Sequence, residues 1–168
     1  ENKSKAKFQH LKDAFPTQNS YKEVLNLDLS PDIYNILNLD ELEKDPEYRT
    51  IYAQINFLDI SKNSLSILRL KSYNNLEKII ARENYITKVE LNLPRLKKID
   101  LSCNMINKMF ELNSVTCLEE LILNRNSISK ITFEDFKPVK STLVTLEIAN
   151  NNLIIIFILG LDVVCGIY

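Results

Sequence analysis

Chemistry in this 168-residue chain would have to start from few side chains: one histidine, His10, and three cysteines, Cys103, Cys117 and Cys165. A nucleophilic triad needs an imidazole held beside its nucleophile by a third group. His10 lies instead on a stretch with Phe8, Leu11 and Phe15 at helical spacing, and reads as a cap or surface histidine. Glu119 and Glu120 are adjacent carboxylates, but neighbours on an extended chain point to opposite sides or splay into solvent. Cys103 has only Lys98 and Arg82 as basic residues on nearby rows, too little to expect an activated thiolate. No C-x-x-C spacing suggests zinc, and an odd thiol count leaves at least one free unless it pairs with another chain. The two glycines, Gly160 and Gly166, stand too close to the end of the chain for a Gly-rich phosphate loop. The expectation is a non-enzymatic protein with no catalytic residue, cofactor or metal.

Composition narrows the class further. With 45% apolar residues the chain can build a core, so disordered and collagen-like classes are excluded. The balance of 21 basic against 22 acidic residues argues against nucleic acid, which selects a basic excess. The longest apolar run, Leu153–Leu159, continues through Leu161, Val163 and Val164 but is interrupted by Asp162. A membrane span needs about 20 apolar residues, so the run reads as buried surface. Asn2-Lys3-Ser4 is a lone glycosylation sequon, and an opening Glu1 in place of Met is what a fragment or processed product would show.

The elements that must carry any function emerge from an internal repeat. Apolar residues recur in slots 1, 4, 6, 11 and 14 of a frame with asparagine in slot 9. The copies begin at Val24, Ile55, Leu76, Leu96, Leu118 and Leu143, with Asn63, Asn84, Asn104, Asn126 and Asn151 in slot 9 and Asp32 in the first, weaker copy. All 30 apolar slots of the six copies are apolar, which 45% composition does not produce by chance. Slots 4 and 6 alternate with slot 5, so each copy predicts a short strand whose even slots face a core. No single coil can bury its own apolar face, so stability has to come from stacking neighbours. The asparagine amide can donate to and accept from backbone groups that the turn buries.

This frame, L-x-x-L-x-L-x-x-N-x-L, resembles the leucine-rich repeat superfamily over about residues 24 to 156. Successive copies start 31, 21, 20, 22 and 25 residues apart. The resemblance implies an α/β right-handed solenoid with a curved parallel β-sheet on its concave face. The expected division is an N-terminal cap helix and lead-in at 1–20, a solenoid at 21–156 with an insertion at 31–54, and an apolar end segment at 157–168. The apolar run could cover the last coil, continue the solenoid, or form a contact between copies.

Two subfamilies compete. Residues 96–106 (LKKIDLSCNMI) are similar to intracellular phosphatase-regulator and dynein-light-chain repeats. Residues 128–136 (ISKITFEDF) and 140–148 (KSTLVTLEI) resemble Toll-like and secreted insect-immune repeats, in which Phe133 and Phe136 would pack along the convex core. Residues 89–96 (VELNLPRL) resemble short repeats of the secreted group. The sequence lacks the cysteine-bonded caps common in that group, and its spacing departs from the strict 22-residue period of the intracellular one.

Either resemblance implies protein–protein recognition through the concave strands, where slots 3, 5, 7 and 8 are outward. Slot 5 forms a column of Asp59, Ile80, Asp100, Ile122 and Glu147, alternating acid with isoleucine. Phe57, Arg82 and Arg125 flank it. These eight residues are the expected contacts for a protein partner, in a secreted, innate-immunity setting on the Toll-like and insect-immune resemblance. The alternative is an intracellular scaffold or assembly subunit that self-associates through the apolar C-terminal end.

Overall fold

A computed structural model describes residues 26–28, 53–157 and 164–166. In chain order its elements are β1 (Asn26–Asp28), β2 (Phe57–Asp59), β3 (Ile67–Leu70), β4 (Lys78–Ile80), β5 (Lys88–Leu91), β6 (Lys98–Asp100), β7 (Glu120–Ile122) and β8 (Lys130–Thr132). A single helical turn, α1 (Phe133–Phe136), then runs into a 3-10 turn at Lys137–Val139, followed by β9 (Thr145–Glu147), β10 (Ile155–Phe157) and β11 (Val164–Gly166). The expected cap helix at 1–20, and all but the last two residues of the 31–54 insertion, lie outside the described residues.

Every coil contributes one strand to a seven-stranded parallel sheet in the order β1-β2-β4-β6-β7-β9-β11. The register follows the sequence frame slot for slot: Leu27 faces Leu58, which faces Ile79, then Ile99, Leu121 and Leu146. The long gap between the first two copies does not break this order, since β1 lies directly beside β2. Beyond the frame, β11 pairs with β9, bringing Cys165 opposite Leu146, so the sheet runs past residue 156.

The expected inward slots form the core. Ile55, Leu58, Ile60, Leu65 and Leu68 of one coil are all buried, as are Leu118, Leu121, Leu123, Ile128 and Ile131 of another. Fully burying such a side chain contributes about 1.5–3 kcal/mol, before the entropy of ordering it is counted. An apolar residue a few positions before slot 1 also recurs, unpredicted by the frame: Tyr73, Leu93, Val115 and Val139 are buried at the corner into the next strand. Each closes a tight turn, its carbonyl accepting the N–H of Leu76, Leu96, Leu118 or Leu143.

Asparagines seal the opposite corner. Asn104 Nδ2 donates to the carbonyl oxygens of Leu101 (3.0 Å) and Ser102 (3.2 Å) in its own coil and Ala81 (3.0 Å) in the preceding one. Its Oδ1 accepts the N–H of Ile86 at 3.0 Å. Asn84, Asn126 and Asn151 repeat this pattern, with Oδ1 accepting from Leu65, Ile106 and Ile128.

Slot 8 is exposed or half-buried in each of these coils but lies beyond the strand. The strands end at slot 5, and slot 8 is the left-handed residue that turns the chain. Lys62, Glu83, Cys103, Arg125 and Asn150 all have φ between 54° and 57°. That geometry carries the ladder past the strand, as when Lys62 N–H donates to the Arg82 carbonyl at 3.0 Å, and then aims the slot 9 amide inward.

On the convex side two further two-stranded parallel sheets form, β3 with β5 and β8 with β10. Thr132 caps α1: its N–H and hydroxyl donate to Asp135 Oδ2 at 2.7 and 2.8 Å. Phe136 is fully buried and Phe133 half-buried.

Two stability outcomes are expected by chemical denaturation. Asn104→Leu should lose about 1–3 kcal/mol, because carbonyls of two coils and the Ile86 N–H are orphaned. Glu83→Gly should gain up to about 1 kcal/mol, since relief of the Cβ clash at positive φ exceeds the added entropy of the unfolded chain.

Candidate functional site

The concave face is built from slots 3, 5 and 7, with slot 8 at its margin. Strand register sets the slot 5 column, Asp59 beside Ile80, then Asp100, Ile122 and Glu147, as the frame predicts. Adjacent rows of a sheet lie about 4.8 Å apart, so each column is a continuous strip.

Most charges of this face are engaged within the chain. Asp59 Oδ1 accepts the Ser61 N–H at 2.9 Å. Asp100 Oδ1 accepts both the N–H (2.9 Å) and the hydroxyl (2.6 Å) of Ser102, and its side chain is buried. The two aspartates therefore cap the turns that follow their strands, a local side-chain bond that Asp favours. Glu147 Oε2 accepts from Asn124 Nδ2 at 2.7 Å, and Asn124 Oδ1 accepts the Ala149 N–H at 2.8 Å. In slot 3, Lys98 pairs with Glu120, and the Lys78 ammonium sits 5.2 Å from the centre of the Phe57 ring, a cation–π contact.

What remains outward is a smaller set. Ile80 and Ile122 are half-buried, two rows apart in one column. Arg82 and Arg125 are exposed, with no ion-pair partner among the described residues, and so are Lys62 and Glu83 in slot 8. Lys78, Lys98 and Asn124 are face residues that sequence reasoning left out of the site, although slots 3 and 7 would have placed them there. Ser61 presents the one buried side-chain polar atom without a hydrogen-bond partner among the described residues, its Oγ.

The groups considered for catalysis are not brought together. Cys103 is half-buried at a left-handed turn, Cys117 is exposed, and both are free thiols. His10 and the Cys165 side chain lie outside the described residues. Among the described residues no three His, Cys, Asp or Glu side chains are grouped to hold a metal ion. No helix among them is long and apolar enough to cross a membrane.

Comparison with solved structures adds the fold's relatives. An internalin of Listeria monocytogenes, inlF, superposes with a TM-score of 0.62 at 17% identity, covering 88% of this chain and 48% of that one. The functional domain of InlJ from the same organism, described as including a cysteine ladder, gives 0.52 at 15% identity, over 87% of this chain and 44% of that one. The chain has the fold of a leucine-rich repeat solenoid. It spans about half the length of either solved structure. No family model matches the sequence, and no curated protein does. In this solenoid the slot of Cys103 is taken by Glu83 and Arg125 in the flanking coils, so no column of thiols forms there.

On the convex face, Glu90 is gripped by Arg69 Nε at 2.7 Å and Lys88 Nζ at 2.6 Å. Hydrogen bonds from Arg69, then from Lys88, hold its carboxyl at about 2, below the usual 4.5. A depressed folded value stabilises the native state above pH 4.5, and that contribution fades as pH falls toward about 2. Glu90→Gln should therefore flatten the acid limb of a stability-against-pH curve across that window. An unchanged slope there would show the grip to be too solvated to matter.

Proposed function

We propose that this solenoid is a non-enzymatic protein-recognition module whose concave sheet receives a protein partner. The observation that carries the reading is the pair Ile80 and Ile122. They are the apolar members of an otherwise acidic column, fixed by register on a sheet that the asparagine ladder holds rigid. Around them the carboxylates of the strands are occupied by turns and neighbours, so the side chains left nearest the strip are two isoleucines and Arg82, with Lys62, Glu83 and Arg125 exposed at the margin. Interface energy concentrates in a few apolar and arginine anchors, with the surrounding contacts excluding water. The internalin likeness supports such a use of the fold. Phe136, buried along the convex core, supports the longer repeat type and with it a secreted, immune-type setting.

A cytoplasmic scaffold is the second reading, and the free thiols of Cys103 and Cys117 favour it. Self-association through the apolar end, the other assembly route, rests on Phe157 and Ile158, whose side chains lie outside the described residues.

The test is quantitative affinity capture with the full chain and with the Ile80→Glu, Ile122→Glu double variant, after circular dichroism and melting show both to be folded. At least one protein retained by the parent should fall by more than about tenfold with the variant. Retention of the same set by both would remove the concave face from consideration.

A further inference from the structure

The dipeptide Asn-Ser occurs three times among the described residues, at Asn63-Ser64, Asn113-Ser114 and Asn126-Ser127. It is a chemically vulnerable pair, because the main-chain nitrogen of the serine can attack the asparagine Cγ and a small side chain leaves that approach open. Two of the three asparagines stand in slot 9, where the ladder restrains them. Asn126 is 8% exposed; its Oδ1 accepts the Ile106 N–H at 2.9 Å, and its Nδ2 donates to the Leu101 and Leu123 carbonyls at 2.9 and 3.1 Å. The nitrogen that would attack it is engaged too, since Ser127 N–H donates to the Ile106 carbonyl at 2.8 Å. Asn63 is 4% exposed and donates to the Ile60 and Ser61 carbonyls, both at 3.1 Å.

Asn113 has none of this restraint. It is exposed on a tight turn whose ends, Leu112 and Val115, are buried, with Val115 N–H donating to the Leu112 carbonyl at 3.1 Å. Its amide has no hydrogen-bond partner among the described residues, and the Ser114 N–H donates to no acceptor among them. The attacking nitrogen and its target are therefore both free at this pair, while at the ladder pairs several hydrogen bonds would have to break first. Ser114 is fixed by its other groups. Its hydroxyl donates to the Leu91 carbonyl, and its own carbonyl accepts the Leu93 N–H at 3.2 Å. These two bonds tie the turn to the preceding coil. Asn74 is also exposed at a turn, but the residue after it is Asn75, whose larger side chain slows the attack.

We propose that Asn113 is a deamidation site, the position at which this solenoid gains a carboxylate and a lengthened main chain as it ages. The Ser114 nitrogen bonds to Asn113 Cγ, the Cγ–Nδ2 bond breaks, and Nδ2 leaves as ammonia, carrying the proton that the Ser114 nitrogen gives up. The five-membered imide so formed takes up one water. Opening at one carbonyl leaves aspartate in the normal linkage; opening at the other leaves isoaspartate, in which the main chain runs through Cβ. Water is the only co-reactant. Isoaspartate adds a methylene to the backbone directly before Ser114, so the tie to Leu91 and Leu93 is the contact that the change loosens. The site is independent of the concave face and of any partner.

The experiment ages the full chain in mildly alkaline buffer, folded and in urea, and follows its peptides by mass spectrometry. Trypsin separates the three pairs into residues 63–69, 109–125 and 126–130 and places Asn74 in 72–78, with fragment ions distinguishing Asn113 from Asn124. In the folded chain Asn113 should convert to the acid at least about tenfold faster than Asn63 or Asn126, whose hydrogen bonds add to the barrier. In urea the three should convert at similar rates. Labelling by an isoaspartyl methyltransferase should mark Asn113, and in the labelled product the Leu93 amide should exchange with solvent about tenfold faster. The Asn113→Gln chain, aged alongside, should show neither change. Conversion of Asn113 no faster than that of the ladder pairs in the folded chain, or slower than that of Asn74, would overturn the proposal. A preference for Asn113 that persists in urea would overturn it as well, by tracing the cause to neighbouring sequence and not to the fold. Unchanged Leu93 exchange in the isoaspartyl product would overturn the loosening of the tie.

Discussion

A side-chain amide that bonds two coils at once is the interaction on which the rest of this solenoid depends. The strands of the main sheet are three residues long, too short to order themselves, and the turn after each one buries carbonyls that no strand neighbour reaches. The slot 9 asparagine answers carbonyls of its own coil and the preceding one while accepting an N–H from the latter. Because donor and acceptor sit on one rigid amide, a coil cannot shift register relative to its neighbour without orphaning several groups together. That is why slot 5 residues from five successive copies align into one strip, and why the concave face can be read as columns at all.

The same constraint explains the backbone just before it. An amide aimed inward from the corner requires the chain to reverse sharply after slot 7, and a left-handed residue at slot 8 does so. Five non-glycine residues of unrelated chemistry, Lys62, Glu83, Cys103, Arg125 and Asn150, adopt that conformation. Each accepts backbone strain of order 1–2 kcal/mol, offset by the asparagine network and the ladder bond that its N–H completes. Their side chains are thereby carried to the margin of the concave face. Arg125 is a margin residue rather than a member of the sheet surface, while Arg82, in slot 7, stands nearer the strip.

Sequence alone reached the parts governed by period and by burial. Slots 1, 4, 6, 9, 11 and 14, the strand order and the acid–isoleucine column all follow from residue type repeating at fixed spacing. Features that depend on what a side chain does with its own backbone were not legible. Asp59 and Asp100 look like outward acids in a one-dimensional pattern, yet each is followed two residues later by a serine whose N–H it accepts. The Asp-x-Ser spacing was the available signal. The corner residues Tyr73, Leu93, Val115 and Val139 escaped because coil lengths vary, so counting forward from slot 1 scatters them. Counting back from the next slot 1 gathers them. The strand at Val164–Gly166 escaped because Asp162 occupies the slot where an apolar residue would open the next copy.

Recognition by such a face is decided less by its formal charge than by which charges remain available. Basic and acidic residues are nearly balanced across the concave rows, and a tally of them would suggest an indifferent surface. Hydrogen bonding reduces the available acids and leaves Glu83, at the margin, without a side-chain partner among the described residues. Asp59, Asp100 and Glu147 each accept from a neighbour within the chain, and Glu120 is paired with Lys98. A partner that pulled those acids away would leave turn N–H groups or a lysine unanswered, at a cost comparable to what the new bond returns. Arg82 and Arg125 carry no such obligation among the described residues, and their planar guanidinium groups suit carboxylates. Ile80 and Ile122 lose only water when covered. If a protein partner docks on this face, as proposed above, the least costly complement is a surface with two apolar projections spaced by two sheet rows and carboxylates toward the arginine margin. Its register would be set by the isoleucines, and its approach rate by the arginines.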